Sequence, residues 1–107
     1  MNYTVVTTER AAQEIVDAAA WWAREHSAEQ AANWYEGIRE AIASLATSPE
    51  RRPIAAERKL LGHELRELHF GLGNKSTHRV IFTIVGETVL VLTVRHAARG
   101  PLGPKDL

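Results

Sequence analysis

The hydrophobic period of this chain changes once, and that change constrains the fold more than any other feature. Between Thr8 and Leu45 apolar residues recur every three to four positions, the spacing of one helix face. From Glu64 to His96 they recur at every second position, the spacing of a half-buried strand. Helical segments gathered ahead of strand segments imply an α+β domain rather than a series of β-α-β units. Residues 2–7, NYTVVT, are β-branched and alternate weakly, which predicts a short first strand. Thr8 with Glu9 behind it makes an N-cap with an acid in the first turn. Ala11, Ile15, Ala18, Ala19 and Trp22 then carry one face to about Glu25. Ser27-Ala28-Glu29-Gln30 spells a capping box, and the helix it starts has the stripe Ala31, Trp34, Tyr35, Ile38, Ala41, Ile42 and Leu45. The residue before a proline avoids helical backbone, so Ser48-Pro49 is the expected end. So short a joint makes the two helices an antiparallel hairpin.

Residues 49–63, PERRPIAAERKLLGH, are basic and hold two prolines, which predicts an exposed connector with room for one helical turn. Alternation then sets in over Glu64–Phe70, Arg79–Val85 and Thr88–His96. Gly86-Glu87 between the last two suits a two-residue type II′ turn, with glycine at its first position. GLGNKST, residues 71–77, makes a looser loop, and GPLGPKDL, residues 100–107, is expected to be a mobile tail. The predicted order is β-α-α-β-β-β, with the N-terminal helical hairpin packed on one face of a small, mostly antiparallel sheet. The 107 residues, with no internal repeat, make one domain, 1–107.

Charge divides as the periodicity does. Residues 1–50 carry three basic and eight acidic groups, a net −5, and residues 51–107 carry ten basic and five acidic groups, a net +5. A basic half points to an anionic partner, nucleic acid or an acidic protein segment; mutual neutralisation within the fold is the alternative. With no cysteine, a disulfide framework and a thiolate metal site are excluded. His26, His63, His69 and His78 lack the i, i+4 spacing of metal ligands, so neither a metal nor another cofactor is expected. The start of the chain has neither a basic region nor an apolar run of signal-peptide type, and no stretch is long enough to span a bilayer. A cytoplasmic location without membrane association is the expectation.

The Gly86-Glu87 turn fixes a register. Counted outward from Val85 and Thr88, it sets Arg79 opposite Val94, with His96 one diagonal step away on the same face. His78 and Arg95 pair on the other face. One end of the sheet therefore collects His78, Arg79, Arg95, His96 and Arg99, with Asn74 and Lys75 close by. An arginine at a strand start also serves as an ion-pair partner, here for Glu64 or Glu67.

Leu65–Leu102, LRELHFG…HRVIFTIVGETVLVLTVRHAARGPL, resembles the C-terminal sheet of the RelE/ParE toxin superfamily. AAQEIVDAAAWW and QAANWYEGIREAIASLATSPERRP resemble its helical hairpin, down to the proline-marked exit. The resemblance implies the toxin of a type II toxin–antitoxin system, neutralised by a cognate antitoxin. Two targets follow from the two branches. The ParE branch acts on DNA gyrase as a protein-binding inhibitor, and the RelE branch cuts mRNA on the ribosome. A third reading is a non-toxic antitoxin-binding module.

In the nuclease reading, Arg66 and Arg79 match cations that stabilise the charge of the transition state, and His96 matches a proton-transfer group. Lys75, Arg95 and Arg99 would bind target or RNA. The nucleases commonly carry a tyrosine near the C-terminus; here Tyr3 and Tyr35 both lie in the first half, which favours the gyrase branch. Trp21 and Trp22 point about 100° apart on a helix and cannot both face the core. The more exposed of them is the candidate antitoxin anchor.

Overall fold

The computed structural model describes residues 2–60, 62–100 and 102–103. In chain order the elements are β1 (Thr4–Thr7), α1 (Glu9–Glu25), α2 (Ala28–Ala43), β2 (Ile54–Leu60), β3 (His63–Phe70), β4 (His78–Val85) and β5 (Thr88–His96). They form one sheet in the order β1-β5-β4-β3-β2, with β1 parallel to β5 and every other pairing antiparallel. This is the expected α+β architecture with one strand added.

Both helices start where their capping residues stand. Thr8 Oγ1 accepts from Ala11 N at 3.2 Å, and Ser27 Oγ accepts from Gln30 N at 3.1 Å, each satisfying an amide that the first helical turn leaves open. Thr8 also donates to Val91 O at 2.9 Å, which ties the start of α1 to the sheet. The stripe residues Ala11, Ile15, Trp34, Ile38, Ile42 and Leu45 meet Leu68, Val80, Phe82, Val89, Val91 and Val94 of the sheet in one core. Burial of each large side chain in it contributes roughly 1.5–3 kcal/mol.

Three expectations need correction here. First, α2 stops at Ala43, ahead of Ser48-Pro49, and a 3-10 turn covers Ser44–Ala46. Ser44 Oγ donates back to Ala41 O at 2.5 Å, competing with the helix ladder, and Ser48 makes the turn in left-handed backbone with φ 49°. Second, the segment read as a connector over 49–63 contains β2 after a 3-10 turn at Pro49–Arg51. Its signal is weak because it is an edge strand with Ala55 as the buried apolar residue among those described, so little alternation shows. Third, the tail read as mobile over 100–107 is tied down at Leu102. That residue is buried with Ala55, Leu65 and Ile81 on the sheet face away from the helices, and its N–H donates to Glu57 Oε2 at 2.9 Å. Residues 104–107 lie outside the described residues.

The β4–β5 hairpin turns at Gly86, φ 60°, in the backbone region that glycine enters without steric cost. The expected register holds from Val85↔Thr88 to Phe82↔Val91 and then slips by one. Leu92 is the extra residue, and beyond it Ile81 pairs with Thr93, Arg79 with Arg95, and His78 with His96. The expected pairs Arg79–Val94 and His78–Arg95 are therefore not formed. Glu14 of α1 holds this bulge: its Oε1 accepts from Thr93 Oγ1 at 2.7 Å and from Val94 N at 3.0 Å. A one-residue slip moves every following side chain to the opposite face, which decides what the functional end of the sheet can do.

Candidate functional site

Beyond the bulge the basic end of the hairpin separates into two faces. Arg79 lies on the face away from the helices, with Ile81 and Leu65 along the same side. His78 and His96 lie on the helix side, where His78 continues the line of Val80 and Phe82. The expected placement of Arg79 and His96 on one face is thus overturned by the slip at Leu92.

Arg79 is held by two carboxylates. Its Nη1 and Nη2 donate to the two oxygens of Glu57 at 3.1 and 2.6 Å, and its Nη2 donates to Glu67 Oε1 at 2.7 Å. The side chains of Arg79, Glu57 and Glu67 are only 12%, 6% and 11% exposed. The bidentate hydrogen bond from Arg79 holds the Glu57 carboxyl down at about 2. Burial pulls Glu67 upward, but hydrogen bonds from Arg79 and His69 outweigh it and leave that carboxyl below its ordinary value. The same partners, Glu57 first, raise Arg79 above the usual guanidinium value. His69 Nε2 rests against Glu67 Oε2. One guanidinium balanced by two carboxylates leaves no positive charge to offer a phosphate. Glu57 was missed in sequence because it sits in the segment read as a connector.

Arg66 is also engaged. Its Nη1 donates to Arg52 O at 2.8 Å and its Nη2 meets Glu64 Oε1 at 3.3 Å. It pairs with Phe82, so it stands about 13 Å along the strands from the His78–His96 pair. Arg66, Arg79 and His96 do not converge on one point. Lys75 and Arg99 are exposed, and Arg95 is buried. Among the described residues no His, Asp or Glu group could hold a metal ion.

The helix side of this end is an apolar groove of about 370 Å³ lined by Ala18, Trp21, Trp22, Thr77, His78 and His96. Trp21 is 46% exposed, whereas Trp22 packs partly against the core. The two indoles meet edge to face at 5.5 Å, and His26 stacks at 4.6 Å from Trp22. His78 lies 5.0 Å from Trp34 and 5.2 Å from His96, ring to ring. Burial first, and then the nearby His96, pushes His78 down to about 4, so it is neutral near pH 7. His96 Nδ1 accepts from Ala98 N at 3.0 Å, which leaves the proton of the neutral ring on Nε2. A second groove, of about 390 Å³, lies among Val5, Ile15, Val16, Tyr35, Arg39 and Ile42. No sequence signal marked it, because it depends on how β1 sits beside the hairpin.

No helix among the described residues is long and apolar enough to cross a membrane. A family profile described as the ParE toxin of the type II toxin–antitoxin system parDE matches residues 5–101. No curated protein matches the chain. Among solved structures, the chromosomal ParDE TA system from P. aeruginosa is similar at TM-score 0.71 and 15% identity, over 88% of this chain and 95% of that one. The toxin–antitoxin complex RelBE2 from Mycobacterium tuberculosis is similar at TM-score 0.53 and 22% identity, over 90% of this chain and 99% of that one. At these identities the two structures speak for the fold.

Proposed function

Because the chain belongs to the ParE toxin family of type II toxin–antitoxin systems, we propose that it arrests growth by binding a protein target, DNA gyrase, and that it cuts no RNA. The observation that carries this reading is the Arg79 clamp. A nuclease of this size needs a free cation at the scissile phosphate. Arg79 is instead neutralised by Glu57 and Glu67 and nearly buried. His96, the proton-transfer group of the nuclease reading, lies on the other face of the sheet. The absence of a tyrosine after Tyr35 favours the same reading.

On this reading the exposed Lys75 and Arg99, at the same end as the groove, contact the target. A cognate antitoxin covers the groove beside Trp21, burying an indole that is half exposed in the free chain. Large aromatic anchors of this kind dominate the binding energy of protein interfaces. The test is inducible expression in a bacterial host without the antitoxin, followed by mapping of transcript ends and a DNA-damage reporter. Induction of the reporter with intact transcripts is the expected outcome. Cleaved transcripts without reporter induction would move the chain to the ribosome-dependent branch, and undisturbed growth would leave a non-toxic antitoxin-binding module.

A further inference from the structure

Arg51, Arg52, Arg58 and Lys59 lie along one edge of the sheet, on β2 and the turn that leads into it. None of them is in an ion pair among the described residues. A local irregularity builds this edge. Arg58 has φ 59°, a left-handed backbone that residues other than glycine rarely adopt, and the β2–β3 register shifts between Ile54 and Lys59. The bulge turns Glu57 inward onto Arg79 and the Leu102 N–H, while Arg58 and Lys59 both stay exposed. A regular strand would send those two side chains to opposite faces. Strained backbone of this kind persists where the surroundings enforce it, and edge bulges re-aim side chains.

The acids nearby do not cancel this edge. Glu64, the cross-strand partner of Lys59, is engaged with Arg66 at 3.3 Å, and Glu50 lies near the Tyr3 hydroxyl. The acidic excess of the first half sits mainly on the helices, and no described side chain of β2 belongs to the core beneath them. A chain of net charge zero therefore has a directional field, negative over the helices and positive along β2. While β2 runs from Ile54 to Lys59 its partner β3 advances only from Arg66 to Glu64, so the bulge gathers these cations into a compact stretch of edge.

We propose that this edge binds the sugar–phosphate backbone of double-stranded DNA. An acidic protein segment would need an apolar anchor beside the cations, and a single strand would need aromatic rings to stack its bases. Among the described side chains around these cations, Pro53, Ala56 and Gly62 offer neither, and Ile54 is partly buried. A duplex needs only phosphates in a regular row. Charges on an edge strand also deter pairing with other chains, a role that by itself gives no DNA affinity. This inference stands apart from the choice of toxin target.

The test is fluorescence anisotropy of a labelled 20-base-pair duplex titrated with the purified chain between 50 and 200 mM KCl. Four phosphate contacts make affinity fall roughly 100-fold over that range. Arg51→Ala with Arg52→Ala, and separately Arg58→Asn with Lys59→Ala, should each lower the salt slope by about two. Asparagine tolerates the backbone of Arg58, and Arg58→Lys, which keeps the charge, should keep the slope. Lys75→Ala with Arg99→Ala should leave it unchanged. Absence of binding at 50 mM, an unchanged slope in both edge variants, or displacement by polyglutamate as readily as by unlabelled duplex would overturn the proposal.

Discussion

Replacing Arg79 by alanine should unfold this protein far more easily than a strand-end arginine ordinarily would. The substitution leaves Glu57 and Glu67 buried without their cation. Glu57 is held at about 2 against an ordinary 4.5, a difference that corresponds to about 3 kcal/mol at neutral pH. Breaking a buried pair by removing one partner costs about 3–5 kcal/mol, a range that contains this value. The sign of the pH effect follows from the depressed carboxyl. In the native protein the contribution is full above pH 4.5 and is lost as pH falls toward 2. In the variant, burial without a cation raises both carboxyls, so their ionisation near neutral pH destabilises it further. The two proteins should therefore differ most at pH 7, less as the raised carboxyls of the variant take up protons, and converge only as pH falls toward 2. Urea unfolding followed by tryptophan fluorescence measures both effects. Arg79→Met combined with Glu57→Gln and Glu67→Gln should recover most of the loss, since no buried charge remains. A variant Arg79→Ala within about 0.5 kcal/mol of the parent at pH 7 would refute the clamp and return Arg79 to the pool of ligand-binding cations.

Other consequences can be checked separately. Trp21→Ala should weaken the complex with the cognate antitoxin by about 2 kcal/mol or more, with little change in stability, as titration calorimetry and thermal unfolding would report; unchanged affinity in both Trp21→Ala and Trp22→Ala would move the contact elsewhere. His78 should titrate near pH 4 by NMR, and because its folded value lies below 6.5, stability should be lost as pH falls from 6.5 through 4. His78→Gln should flatten that slope, and an unaltered slope would show that His78 is solvated. Glu14→Ala strips the acceptor from Thr93 Oγ1 and Val94 N and should cost about 2 kcal/mol or more. A smaller loss would mean that the bulge at Leu92 is held by the strands alone.

What the sequence disclosed depended on the range of the interaction involved. Thr8 and Ser27 cap their helices through contacts three residues away, and Gly86-Glu87 turns the hairpin through its own backbone, so these could be read locally. The stripe from Ala31 to Leu45 and the alternation from Leu65 to Val94 gave the helix and sheet faces of the core for the same reason. The slip at Leu92 could not be read, because the contact that meets it comes from Glu14, a carboxylate some eighty residues earlier in the chain. The slip reversed the face of every residue after Leu92 and separated Arg79 from His96. β2 was missed because an edge strand with two alanines and three charges carries little hydrophobic pattern. With β2 went Glu57, and so the partner that neutralises Arg79. The exposure of one of the two adjacent tryptophans was legible from helix geometry alone; that it is Trp21 follows from the way α1 lies on the sheet.

The most direct measurement of the proposed activity is a supercoiling assay with purified gyrase, relaxed plasmid and the isolated chain, run beside an mRNA-cleavage assay on programmed ribosomes. The expected result is inhibition of supercoiling in proportion to added protein, reversed by the antitoxin, with full-length mRNA recovered from the ribosomes. Unimpaired supercoiling together with cut mRNA would contradict it, and would require Arg79 to leave Glu57 and Glu67 when the chain meets its substrate.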